Sequence, residues 1–159
     1  MKRIADILEG ALKFLVIIML SALTIIVVVG IAARYVFLVS IPWTEEISRY
    51  LMIWTSFLGL GVAYRKRELI AVKLLTDLLP KKMFRIALFV SDILCSIFLV
   101  VVVYYGVKLC VQNSDQVSAA ARIPTSIVYA AIPVGGVIYL FFSLESILDF
   151  FRGRKRVQV

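Results

Sequence analysis

The sequence predicts an all-α, polytopic membrane protein: four transmembrane helices, a short amphipathic helix between the second and third, and both termini on the cytoplasmic side. Three observations carry this reading. Of the 159 residues, 62% are hydrophobic and the mean hydropathy is +1.00, whereas a soluble domain is about half apolar. The excess is gathered into four blocks separated by charge. The cations are also asymmetric. With the N-terminus inside, 14 of the 18 Lys and Arg fall on the cytoplasmic side and only Arg34, Arg49, Lys108 and Arg122 on the other, a strong positive-inside bias. Residues 1–159 therefore read as a single membrane domain.

Each element has its own justification. Met1–Lys13 places Ile4, Ile7, Leu8 and Leu12 at helical spacing among charged residues, the pattern of an amphipathic lead-in lying at the membrane surface. Phe14–Ala33 is 20 residues without a charge, enough to span, and its length argues against a cleaved signal peptide; the first span is placed at 14–34. Leu38–Pro42 is a short connection, so the second helix, 44–64, returns beside the first. Pro42 sets the turn, Thr44 is the expected N-cap, and Glu45 and Glu46 complement the helix dipole. Thr44–Tyr64 would cover about 31 Å, near the thickness of the hydrocarbon core, but the uncharged part alone only about 22 Å. This helix must therefore carry Glu45, Glu46 and Arg49 at or just below a membrane surface. Arg65, Lys66 and Arg67 anchor its other end in the cytoplasm.

Residues 68–79 alternate apolar and charged positions and are too few to span, so they read as an interfacial amphipathic helix ended by Pro80. The third span, 86–108, contains Asp92, Cys95 and Ser96. Pro124 is expected at the first position of the fourth span, 124–145. Within it Pro133 removes a helix hydrogen bond and predicts a kink, beside Gly135 and Gly136.

Composition excludes several functions. The net charge of +8 would suit nucleic acid, but the cations sit at block ends, where they fix topology and meet anionic lipid. Cys95 and Cys110 are separated by about 22 Å if helical and cannot pair. There is no histidine, no P-loop and no GxSxG elbow, so no enzyme, cofactor or metal site is expected.

Four constellations remain. Arg34, Glu45, Glu46 and Arg49 meet at one boundary, Glu45 and Glu46 standing four and three residues before Arg49. They read as a structural clamp on the hairpin, a docking patch for another subunit together with Trp43 and Tyr50, or an ion site. The first two are preferred, because ion pathways place carboxylates in the bundle interior. Thr55, Gly59 and Ala63 form a small-residue row suited to close helix packing, opposite a broad face that includes Tyr50, Phe57 and Tyr64. Asp92 is an intramembrane acid near cytoplasmic cations, which gives it a structural explanation. Pro133 with its glycines would suit the broken helix of a transporter, but no second interruption matches it, and packing explains it better.

The segments RYVF, PWTEEISRYLMIWTSFLGLGVAYRKRE, LIAVKLL and IPTSIVYAAIPVGG resemble the small, DctQ-type membrane subunit of tripartite ATP-independent periplasmic (TRAP) transporters, over nearly the whole chain. The W-T-E-E-x-x-R-Y block is the most specific part. The resemblance implies an accessory scaffold subunit in the bacterial inner membrane. It would pair with a large polytopic TRAP subunit that moves the solute, usually a carboxylate, by sodium-coupled symport, and support docking of a periplasmic solute-binding protein. It carries Trp43, Glu46, Arg49 and Tyr50 over as the motif's core and Arg34, Arg65 and Pro133 as weaker positions. Leu69 and Lys73 depart from the family pattern, which has a histidine and an acid there. Two other readings compete: a small homo-oligomeric four-helix exporter, which would need an acid in the first span where Phe14–Ala33 has none, and a membrane assembly protein without a transport role.

Overall fold

A computed structural model describes residues 2–66 and 81–151. Arg67, the expected amphipathic helix at 68–79 and the basic tail from Arg152 lie outside the described residues. The helices among the described residues are α1 (Lys2–Tyr35), α2 (Pro42–Lys66), α3 (Lys81–Gln112), a short α4 (Thr125–Tyr129) and α5 (Ala131–Phe151). Among the described residues three stretches, Ala5–Tyr35, Ile86–Gln112 and Thr125–Leu148, are long and apolar enough to cross a membrane.

The lead-in does not lie apart from the first span, as the sequence reading expected. α1 runs unbroken for 34 residues, about 51 Å of helix, and so extends well past the roughly 30 Å of a hydrocarbon core. Ala5 and Leu12 are buried while Ile7 is exposed, so only one edge of this segment packs within the protein. The start of α2 also differs. The helix begins at Pro42, whose fixed φ suits a first position and whose missing N–H costs nothing there. Thr44 is therefore inside the first turn and is not its cap; its buried hydroxyl donates back to the Ile41 carbonyl at 2.7 Å. Leu38, in the connection, takes a left-handed φ of 56°.

α1 packs along α2, α2 along α5, and α5 along α3. The helices thus form a row with α1 and α3 at its edges. The core lies inside the row, where Leu58 and Tyr64 of α2 meet Tyr139 and Phe142 of α5 and Leu99 of α3. The Tyr64 and Tyr139 rings lie 4.2 Å apart between centroids. Glycines let these helices approach. A Cβ on Gly135 would fall 2.7 Å from the Cβ and 2.9 Å from the carbonyl oxygen of Phe57, and one on Gly61 would fall 2.9 Å from Ile138. A Cβ on Gly59 would meet nothing within 4 Å. The tight helix crossing therefore falls at Gly61 and Gly135, and the Thr55–Gly59–Ala63 row does not supply it at its central glycine.

The connection from α3 doubles back on itself. Val117 and Pro124 form an isolated antiparallel bridge, closed by Ser118 N–H to the Ile123 carbonyl and Thr125 N–H to the Gln116 carbonyl, each at 2.9 Å. Arg122 turns the chain with φ 52°. Pro124, with ψ 126°, stands just outside the helix as the N-cap of α4 and not at its first position. The helical path divides at Ala130, three residues before Pro133, which has no N–H to give the Tyr129 carbonyl. The Pro133 ring then packs close to Gly106 of α3.

Overpacking a tight crossing costs about 1–3 kcal/mol and more where backbone must move. Gly135→Val is expected to lower the thermal midpoint of the detergent-solubilised protein by several degrees, while Gly59→Ala leaves it unchanged or raises it slightly. A thermal shift assay by fluorescence-detected size exclusion checks both.

Candidate functional site

Charged and hydrogen-bonding side chains collect at the two ends of the row. At the hairpin end, α1 delivers Arg34 and the first turns of α2 deliver Trp43, Glu45, Glu46, Arg49 and Tyr50. The structure brings Arg34 and Glu45 together as an ion pair between largely exposed side chains. Glu46 turns elsewhere. Its carboxylate accepts from the backbone N–H of Ala121 at 2.8 Å and of Ala120 at 3.1 Å. α2 thereby holds the tip of the α3–α4 connection, 74 residues away in sequence. Arg49 is exposed and makes no ion pair or hydrogen bond among the described residues; the spacing that could have joined it to Glu45 and Glu46 is not used, because both carboxylates have partners off the helix. Trp43 is exposed beside the turn, and Tyr50 is partly buried.

Further along α2, Trp54 donates its indole N–H to the Ile127 carbonyl at 3.1 Å and so ties α2 to α4. Sequence reading missed this contact, for which the only signal was an amphipathic aromatic in mid-helix. Thr55 buries a hydroxyl with no hydrogen-bond partner, and Ala63 is partly buried.

At the opposite end Arg65 is the hub. Its side chain is only 7% exposed. Its guanidinium bonds the Ala5 carbonyl and the Asp6 carboxylate of α1, approaches Glu9 at 3.0 Å and, through Nε, the buried Glu145 of α5 at 3.7 Å. It also lies over the Phe142 ring, 5.3 Å from the centroid. Glu9 in turn pairs with Lys13. The sequence places Arg65 among three cytoplasmic anchors; the structure sequesters it, because carboxylates from two other helices converge on it. Lys66, the next residue, is exposed.

Beside this hub, Asp92 of α3 accepts from Ser146 Oγ of α5 at 3.0 Å. Ser96 Oγ donates to the Asp92 carbonyl at 2.6 Å and lies 2.7 Å from Ser143 Oγ. Ser96 has one proton and gives it to that carbonyl, so Ser143 is the donor between the two hydroxyls. Asp92 is thus built into the α3–α5 seam. Among the described residues no group of three or more His, Cys, Asp or Glu side chains is placed to hold a metal ion.

Residues 23–153 match the family model for tripartite ATP-independent periplasmic transporters, DctQ component. A Haemophilus influenzae protein provisionally named as a TRAP transporter small permease protein is 29% identical over 157 residues, covering 96% of this chain and 98% of that one. The ectoine TRAP transporter small permease protein TeaB of Halomonas elongata is 27% identical, covering 88% and 74%. The sialic acid TRAP transporter permease protein SiaT of Haemophilus influenzae is 26% identical over 76% of this chain, which there corresponds to 20% of a much longer protein.

Removing one partner of a buried ion pair costs about 3–5 kcal/mol, because the other charge stays buried. Arg65→Gln is therefore expected to destabilise the protein severely, and Arg65→Gln with Glu145→Gln to recover part of the loss. Asp6→Asn, at an exposed acid, should cost under about 1 kcal/mol. Thermal midpoints of the four proteins in one detergent check the ordering.

Proposed function

The chain belongs to the DctQ-component family of tripartite ATP-independent periplasmic transporters, and on that premise we propose that it is the scaffold subunit of a TRAP uptake system, pairing with a large transport subunit and supporting docking of a periplasmic binding protein. The observation that favours a scaffold is where the polar groups go. Arg34 fastens to Glu45, Glu46 to the Ala120–Ala121 amides, Arg65 to acids of α1 and α5, and Asp92 to Ser146. These groups tie helix to helix at the ends of the row, and its middle is filled by aliphatic and aromatic side chains. Such a body holds a shape. The solute pathway then belongs to the partner.

α2 supplies the fourth span in this reading. It is 25 residues long, about 37 Å, and lies between α1 and α5, both apolar enough to cross. Both termini are cytoplasmic on the cation asymmetry of the sequence, which puts the Arg34–Glu45 end on the periplasmic face of the inner membrane and the Arg65 hub on the cytoplasmic face. The edges of the row, α1 with Phe14, Ile17 and Val28 and α3 with Leu94, Phe98 and Val101, expose large apolar side chains that suit lipid and a second membrane protein. Relatives are named for sialic acid and ectoine, which are carboxylated solutes, and for isethionate, a sulfonate; a small carboxylate imported with sodium is the cargo we assign.

Glu46 shapes the surface offered at the hairpin end, since it fixes the α3–α4 connection against α2. Glu46→Ala is expected to reduce co-purification of the large subunit and solute uptake together, with Glu46→Gln intermediate because its amide oxygen still accepts. Wild-type values for both measurements in Glu46→Ala would refute the role.

A further inference from the structure

The hairpin end contains a groove that the ties described above leave open. It lies between α1 and α2, has a volume of about 530 Å³, and is lined by Ile26, Val27 and Ile31 on the membrane side and by Arg34, Ser48 and Arg49 toward the boundary. We propose that this groove holds one anionic glycerophospholipid, its phosphodiester against Arg49 and Arg34 and one acyl chain along Ile26, Val27 and Ile31.

Charge selects the headgroup. Glu45 neutralises one of the two arginines, and Glu46 is committed to the Ala120 and Ala121 amides on another side of α2. One cation is therefore in surplus, on Arg49, which has no partner among the described residues. A phosphodiester with no compensating cation in its headgroup supplies a single negative charge, and arginine forks match phosphate oxygens. Ser48 adds a hydroxyl with no hydrogen-bond partner among the described residues. It shares this with Thr55, whereas Ser21, Thr24, Ser56 and Ser96 all bond the carbonyl four residues back.

Position selects a lipid over a free anion. The cationic rim sits at the end of a 20-residue uncharged stretch, Phe14–Ala33, where headgroups lie. The connection flanking it exposes Val36, Phe37, Leu38 and Val39 in succession. Four exposed apolar residues in a row belong in the interfacial layer, not in water. The groove consequently opens where acyl chains are at hand, and its apolar floor has the shape of a chain site.

Native mass spectrometry of the transporter complex, delipidated in mild detergent and titrated with dioleoyl-phosphatidylglycerol, dioleoyl-phosphatidylcholine or glycerol 3-phosphate, tests this. Phosphatidylglycerol is expected to bind most tightly. Arg49→Gln should weaken it roughly tenfold, the scale of one lost charge-assisted hydrogen-bonded contact, with Arg49→Lys intermediate. Ile31→Trp should block the chain site while leaving both arginines in place. Lys108→Gln, an exposed cation on α3 outside the groove, should bind as wild type does. Equal affinity for the choline lipid, equal binding of glycerol 3-phosphate, or equal losses in Arg49→Gln and Lys108→Gln would overturn the proposal. So would a photo-crosslinker at position 31 that captures a protein in cells and no lipid. Uptake and subunit co-purification are not read in this experiment, so its failure leaves the scaffold reading separately testable.

Discussion

The arrangement depends most on the burial of Arg65. A guanidinium removed from water needs charge and hydrogen bonds on every side that it presents, and here they come from separate helices: the Ala5 carbonyl, Asp6 and Glu9 from α1, and Glu145 from α5. The flat ion also rests on Phe142, one of the most deeply buried side chains. Such a site tolerates little displacement, because desolvation is offset only while the geometry holds. It therefore fixes how far the first turns of α1 extend along α2 and where the last turns of α5 stop. The unbroken course of α1 past the thickness of a bilayer follows, since its first turns are needed to reach Arg65.

The second constraint is the glycine crossing between α2 and α5. Gly61 and Gly135 admit Ile138 and the Phe57 backbone to distances that any side chain would deny. In a membrane, where apolar surface has no water to escape, association depends on such close packing and on polar ties. The row uses both: packing in the middle and polar ties at the ends. A row with open edges, α1 and α3, differs from a closed bundle in leaving wide apolar surface for neighbours.

The helical class and the family were legible in the sequence because they rest on local quantities: hydropathy, length and a linear motif. The pairing of Arg34 with Glu45 was also within reach, since a five-residue loop forces both to one boundary. The use of Glu46 was not. Its spacing to Arg49 on the same helix is real, but the Ala120 and Ala121 amides offer a fixed pair of donors, and those lie in a loop whose fold no local pattern announces. Likewise a cation next to Lys66 and Arg67 reads as one more positive-inside residue. Its burial depends on acids far from it in sequence, Glu9 near the start of the chain and Glu145 near its end.

Gly59 and Gly61 make the same point within one turn of helix. Sequence shows both as small residues in an apolar helix, and the spacing favours the first. Only the packing decides that space is tight at Gly61 and open at Gly59, because a small residue permits a close approach without specifying which neighbour makes it. The sequence by itself determined that this chain is helical and apolar and where its charges can stand. Tertiary structure alone decided which charges meet, since ion pairing depends on distance in space, and helices brought side by side set distances that separation along the chain does not.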